Sequence, residues 1–234
     1  MDKSSFLIIG HRGAAGLLAE NTLPSFQRAL DLGCTALELD VHCVGETLAV
    51  IHDKTLDRTT DRKGPVAELS PADLASTDAG GASIPTLAEV FDLVQQHANH
   101  TDAPITEFLL NVELKGAGTA AVVADFLSQR ADKPRLLVSS FDHQELRTFR
   151  QLDSLTPVAP LYDKWRTDWQ QTATDLHATA VNLGWRICTQ RRVQKITQAG
   201  FELYAYTVNR KSIAQRLASW GVTGIFTDRP DRFL

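Results

Sequence analysis

The sequence predicts a closed (β/α)8 TIM barrel, and three observations predict it. Short β-type runs alternate with helical patterns nearly throughout, which argues for βαβ units and a parallel sheet. Eight such runs in 234 residues favour closure over a doubly wound open sheet. Charged residues gather where the runs end, and a barrel builds its functional face at the C-terminal ends of its strands.

The strand candidates, in order, are residues 6–10, 36–43, 108–115, 135–140, 157–161, 179–183, 202–208 and 223–227. Between them lie helices with recognisable ends. Thr22 and Pro24 open the first and Gly33 closes it. Thr86-x-x-Glu89 has the spacing of a capping box ahead of the apolar run Val90 to Val94. Asp142-x-x-Glu145 opens another helix, Thr189 one that runs to Gly200, and Asn209 the last, which ends at Gly221. Two departures from a regular barrel are visible. Residues 44–85 form a long excursion after the second strand, with Gly64-Pro65, Ser70-Pro71 and Gly80-Gly81 as turn signals. Long loops in compact domains are usually functional, so this one is read as an insertion that caps the mouth of a single domain covering 1–234. After the eighth strand only Asp228 to Leu234 remain, so a final helix is missing or vestigial.

Composition sets bounds on the function. Hydrophobic residues make up 43% and charged residues 22%, an ordinary mixture able to bury a large core. The net charge of −4 comes from interspersed acids and bases, and without a basic stripe nucleic acid is not expected as a partner. Cys34, Cys43 and Cys188 are odd in number and widely spaced, which suggests reduced thiols rather than a disulfide framework. No apolar stretch is long enough for a secretory signal or a membrane span, so a cytoplasmic location is expected. Nothing in the sequence fixes the oligomeric state.

Chemistry concentrates on two neighbouring strands. Glu38 and Asp40 are two residues apart, so their side chains share one face, with Leu37, Leu39 and Val41 on the other. Glu113 and Lys115 repeat the pattern, with Asn111 beneath them. Helices should cover the outer faces, so the polar set must point into the barrel, where carboxylates are costly unless a cation compensates. Structural ion pairs with Lys115 or Arg12 would also compensate. Two such strands side by side favour a metal, and oxygen donors favour Mg²⁺ or Ca²⁺ over zinc. His11-Arg12-Gly13 directly follows the first strand, and His52-Asp53 ends a further β-type run, TLAVIHD, inside the excursion. Two histidines facing each other across a substrate can serve as base and acid. Arg12 suits bidentate recognition of a phosphate, Lys115 adds a point charge, and Gly13 and Gly16 are read as leaving room for backbone near a ligand. Three carboxylates and a divalent cation, balanced by Arg12 and Lys115, leave a net positive charge that complements a phosphodiester monoanion. The run Gly10-x-x-Gly13-x-x-Gly16 is not a dinucleotide fingerprint, because the spacing differs and the helix starts only near Thr22.

In this order, HRGAAGLLAENT (11–22), ALELDVHCVGETLAVIHDKTLDRTT (36–60), NVELKG (111–116), VSSFD (138–142), YAYTVN (204–209) and GVTGIFTDRP (221–230) closely resemble the bacterial glycerophosphodiester phosphodiesterase family. The resemblance spans essentially the whole chain. It implies a (β/α)8 barrel with a small insertion after the second strand, His11 and His52 as the acid/base pair, and Glu38, Asp40 and Glu113 as ligands of one divalent cation. It further implies that Arg12 and Lys115 contact phosphate, and that a small-molecule glycerophosphodiester is hydrolysed to sn-glycerol 3-phosphate and an alcohol. Ala19 stands where the family usually has proline, and Tyr206 where it often has tryptophan. Phe141, Trp185 and Tyr206 follow strand ends and are candidate pocket residues, with ordinary packing the other reading. His42 shares the face of Glu38 and Asp40 and is read as a hydrogen-bonded structural histidine or a pocket-edge residue. The alternatives are a barrel that binds phosphodiesters without turnover, a lysophospholipase D-type activity, and a metal-dependent amidohydrolase. The last usually shows His-x-His where this chain has His-Arg-Gly.

Overall fold

A computed structural model describes residues 6–234. The apolar runs become strands β1 (Leu7–His11), β2 (Ala36–Val44), β3 (Thr47–Val50), β4 (Leu109–Leu114), β5 (Arg135–Ser140), β6 (Val158–Tyr162), β7 (Ala180–Gly184), β8 (Glu202–Tyr206) and β9 (Gly224–Thr227). Neighbours follow the order β1-β9-β8-β7-β6-β5-β4-β2, and β1 also pairs with β2, so eight parallel strands close into a barrel. β3 lies outside that ring, antiparallel to β2. The helices are α1 (Leu23–Asp31), α2 (Pro71–Ser76), α3 (Leu87–His100), α4 (Thr119–Ser128), α5 (His143–Leu152), α6 (Trp169–Asp175), α7 (Gln190–Gln198) and α8 (Lys211–Trp220). The chain is therefore the (β/α)8 barrel that the alternation predicts, and after β9 only a single 3-10 turn, Pro230–Arg232, stands where a last helix would be.

Strands in a parallel barrel are buried on both faces, so the residues that fill each face decide where polar groups can sit. Outward-facing Leu37, Leu39, Val41, Leu110, Val112 and Leu114 pack against Phe26, Val90, Phe91 and Val123 of the helices. Phe26 and Phe149 are fully buried, and truncating either to Ala should cost about 3–5 kcal/mol. Inward-facing Ile9, Ala36, Leu109, Leu137, Ala159, Ala180, Tyr204 and Phe226 form a plug inside the ring. Above that plug the inward positions of β2 and β4 become charged. The segment 44–85 carries a small apolar cluster of its own, including Val44, Ile51, Leu56, Leu74 and Ile84. Among the described residues no helix is long and apolar enough to cross a membrane.

Most helix starts follow the sequence signals. Thr22 accepts from Ser25 N at 3.4 Å, and Thr86 and Glu89 form the reciprocal capping box. Asp142 accepts from Gln144 N at 2.9 Å, and Thr189 from Arg192 N at 3.3 Å. Glu145, three residues after Asp142, does not turn back on its own helix. Its two oxygens accept from Gly118 N at 2.9 Å and Ala120 N at 2.8 Å, so it satisfies the start of α4. Asn209 does not cap the last helix. α8 begins at Lys211 behind Arg210, because the amide of Asn209 is already engaged at the end of β9.

Candidate active site

The register of the barrel decides which side chains meet. His11 on β1 lies level with Glu38 on β2, Glu38 with Asn111, and Asp40 with Glu113 on β4. Alternation then turns Glu38, Asp40, Asn111 and Glu113 into the ring, and all are at least nine-tenths buried. His52 arrives from the insertion: β3 runs back along β2, and Ile51 N donates to Asp40 O at 3.0 Å, which places the next residue over the acidic strands. A cavity of about 210 Å³ opens between these groups. It is lined by both imidazoles, Arg12, Glu38, Glu113 and Lys115, and by the rings of Phe141 and Tyr206.

Glu38, Asp40 and Glu113 each bring a carboxylate oxygen within 4.8 Å of the other two. Glu38 Oε1 and Asp40 Oδ1 are buried without a hydrogen-bond partner among the described residues. Burial, reinforced by Asp40 and Glu113, pushes the Glu38 carboxyl well above the usual carboxylate range. Glu113 is pushed up to about 7 by burial and by Asp40, despite its ion pair with Lys115. Asp40 stays below the usual range. Burial would raise it, but Lys115 at 3.2 Å and Arg12 at 3.2 Å outweigh that, and Asn21 donates to it at 2.9 Å. The nearby basic groups thus compensate one carboxylate and leave two short of positive charge. The partnerless Glu38 oxygen and two carboxylates short of positive charge, in a hard-donor trio, fit a divalent cation of the Mg²⁺ or Ca²⁺ type.

Both imidazoles have the same kind of support. His11 Nδ1 donates to Asp228 Oδ1 at 2.6 Å, and His52 Nδ1 donates to Asp53 Oδ1 at 2.6 Å. A carboxylate on Nδ1 fixes the tautomer and leaves Nε2 as the nitrogen able to accept a proton. Asp228 is held in turn by Asn209, whose amide donates to Oδ2 at 2.7 Å, while its carbonyl accepts from Asp228 N and the Thr227 hydroxyl, both at 2.9 Å. Although burial pushes the Asp228 carboxyl up, its bond to His11 draws it below the usual range.

Arg12 has a left-handed backbone (φ 51°), which lets its own N–H donate to Glu38 Oε2 at 3.0 Å. Its guanidinium pairs with Glu20 at 2.7 Å, a carboxylate that charge counting from the sequence leaves out. Phe141 and Tyr206 meet edge to face at 5.9 Å, and the Tyr206 hydroxyl donates to Asp163 at 3.2 Å.

One sequence-based expectation is corrected, and two residues with open readings are located. Gly13 and Gly16 make room for protein rather than ligand: a Cβ on Gly13 (φ 84°) would sit 2.5 Å from the backbone of Ser25, and one on Gly16 2.4 Å from Arg229. Trp185 lines an adjoining recess with Asp163 and Tyr206, not the cavity of the acidic trio. His42 does not line that cavity either; it is buried, and its Nε2 donates to the His52 carbonyl at 3.1 Å. Its structural reading is the one this geometry favours.

Residues 11–232 match the model of the glycerophosphoryl diester phosphodiesterase family. The chain belongs to this family. A glycerophosphodiester phosphodiesterase of Caldanaerobacter subterraneus is 31% identical over 97% of this chain and 96% of that one. One from Bacillus subtilis is 31% identical over 97% of this chain and 85% of its own length. Among solved structures, a phosphodiesterase of Oleispira antarctica in complex with the product sn-glycerol-3-phosphate superposes with a TM-score of 0.88 at 28% identity, covering 97% of this chain and 94% of that one. In this member of the glycerophosphoryl diester phosphodiesterase family, Glu38, Glu113 and both imidazoles line one cavity, with Asp40 buried beside the two glutamates. Asp53, Glu20, Asp228 and Asn209 are site residues that strand patterns alone do not reveal. They lie in loops, where alternation carries no signal, although HDKTLDRTT, ENT, VN and TDRP all fall within the family-like blocks.

Proposed function

We propose that this barrel hydrolyses glycerophosphodiesters to sn-glycerol 3-phosphate and an alcohol, with Glu38, Asp40 and Glu113 holding one divalent cation, Mg²⁺ or Ca²⁺, and His11 and His52 exchanging protons with the substrate. One observation carries this reading. Two imidazoles, each with a carboxylate on Nδ1, line the same cavity as Glu38 and Glu113, the two members of the acidic trio left short of positive charge. A cation there would act as a Lewis acid on a phosphoryl oxygen. Lys115 and Arg12 add positive charge beside the same cavity, where it would favour the phosphate and the charge that builds on it. The adjacent 2-hydroxyl of the glycerol moiety is the proposed nucleophile. One imidazole takes its proton as the O–P bond forms, and the other protonates the departing alcohol as its P–O bond breaks. Water then opens the cyclic phosphate with the two roles reversed. The segment 44–85 caps the mouth in this scheme by bringing His52 to it.

From the insertion, His52 alone lines the described cavity. The test is release of glycerol 3-phosphate from sn-glycero-3-phosphocholine and from lysophosphatidylcholine, with Mg²⁺, Ca²⁺ or chelator. Cation-dependent release from the first supports the reading. No release with any divalent cation, or full activity in chelator, refutes it. Equal rates with a diester lacking the adjacent hydroxyl would refute the cyclic route alone.

A further inference from the structure

Arg58 lies in the insertion, and its guanidinium is shared by two carboxylates. Its Nε and one terminal nitrogen donate to Asp53 at 2.6 and 3.0 Å. Its two terminal nitrogens donate to Glu20 at 3.0 and 2.8 Å. Each carboxylate has a second duty: Asp53 holds Nδ1 of His52 at 2.6 Å, and Glu20 holds the guanidinium of Arg12 at 2.7 Å. His52, Asp53, Arg58, Glu20 and Arg12 therefore form one chain of charge-assisted hydrogen bonds. It runs from the insertion to the loop between β1 and α1, and its two ends are the imidazole and the guanidinium that line the cavity.

The Arg58 side chain is 49% exposed, and a lone surface ion pair there would contribute little. The geometry is different from a lone pair. One planar cation presents a fork to each of two acids, an arrangement that a lysine ammonium cannot reproduce. Hydrogen bonds from Arg58 hold Asp53 below the usual carboxylate range, and hydrogen bonds from Arg58 with the charge of Arg12 do the same for Glu20 against its burial. Without Arg58, Asp53 keeps His52 and Glu20 keeps Arg12, but the link between the two halves is gone. Asp53 is then free to turn off the imidazole, and Glu20 is left to Arg12 alone.

We infer that Arg58 is a positioning residue, which sets His52 and Arg12 against each other across the mouth through Asp53 and Glu20. The inference rests on the roles proposed above for those two residues. It extends them to a side chain that touches no reacting atom.

The test uses the full chain with Arg58→Ala and Arg58→Lys. Wild-type release of glycerol 3-phosphate is measured first, and its absence counts against the proposed reaction rather than against Arg58. Loss of a group that orients another typically costs roughly 10- to 100-fold, and Arg58→Ala should lose kcat on that scale. KM should rise with it, since Arg12 loosens too. Arg58→Lys should fall between, and added guanidinium should restore part of the Arg58→Ala loss. A second readout needs no turnover. In nitrogen-15 spectra of histidine-labelled protein, with His52 assigned by its loss in His52→Gln, the neutral ring should carry its proton on Nδ1 in the wild type. In Arg58→Ala it should become a mixture. Wild-type kinetics and an unchanged His52 signal in folded Arg58→Ala would overturn the inference. So would a lowered melting temperature with neither readout altered, which is the result a merely structural ion pair would give. If Arg58→Ala fails to fold, Arg58→Lys carries the same two readouts.

Discussion

Replacing Asp228 with Asn removes a charge while keeping size and shape, and the hydrogen bonds around it dictate the outcome. Asn209 cannot turn its amide over, because its carbonyl accepts from the backbone N–H of Asp228 and from the Thr227 hydroxyl, both at 2.9 Å. Its NH₂ therefore always faces the outer oxygen of residue 228, now at 2.7 Å. An asparagine at 228 has two orientations and neither serves. With its oxygen toward His11, its NH₂ meets the NH₂ of Asn209, two donors face to face. With its NH₂ toward His11, the imidazole must give up the proton on Nδ1 and carry it on Nε2, the wrong nitrogen for a base. Either way a hydrogen bond to a charged group is lost, roughly 1.5–3 kcal/mol, which at about 1.4 kcal/mol per decade is roughly 10- to 150-fold in kcat/KM. A complete switch of tautomer sets an upper bound of about 10⁴-fold. The swap Asn209→Asp with Asp228→Asn should recover several-fold over the single variant, because the new carboxylate at position 209 then accepts from the amide at 228 and turns its oxygen back to His11. Activity is read on sn-glycero-3-phosphocholine by oxidising the released glycerol 3-phosphate. An Asp228→Asn enzyme that keeps more than about half of wild-type kcat/KM would refute the reasoning, and so would a swap no better than the single change.

Three further outcomes are expected. His11→Ala and His52→Ala should each abolish turnover while calorimetry still shows cation binding, since neither ring belongs to the acidic trio; loss of the cation in both would make them ligands instead. Cation affinity should rise with pH, because Glu113, pushed up to about 7, and Glu38, also raised by burial, must release protons to bind. Titrations in buffers of different ionisation enthalpy should show proton release below about pH 7, and Glu38→Ala should weaken binding and activity together; a pH-independent affinity would contradict this. Gly13→Ala should destabilise the fold by more than about 1 kcal/mol in thermal melts, since φ 84° is strained for alanine and its Cβ would sit 2.5 Å from Ser25.

The barrel was legible because its strands are buried on both faces, so each apolar run stands out between helix caps. The acidic trio was legible for a related reason: Glu38, Asp40 and Glu113 interrupt runs that would otherwise be apolar, and period-two alternation says which way they point. The partners of these groups were not legible from pattern. Glu20, Asp53, Arg58 and Asp228 reach the site through loops, whose course depends on contacts far along the chain, as with Asp228 and His11 at a separation of 217 residues. Asn209 shows the limit clearly. It sits where a helix cap is expected, and a tertiary hydrogen bond to Asp228 outcompetes the local one. The glycines near Arg12 failed as ligand signals because a close approach requires glycine whether the approaching atoms belong to a ligand or to the protein itself.

The hairpin of β2 and β3 has a consequence for how this enzyme can change. Two of the three acids and one imidazole ride on a single continuous stretch, Ala36 to Asp53, and their spacing is a matter of antiparallel register, Val41 facing Val50 and Val44 facing Thr47. A slip by one position would invert every side chain on the returning strand. Adding or deleting one residue at Gly45-Glu46 should thus swing the imidazole out of reach in a single step, whereas the loop carrying Leu155, 90% exposed and remote from the mouth, can lengthen freely. Variation in this scaffold is permitted by turn, not by region.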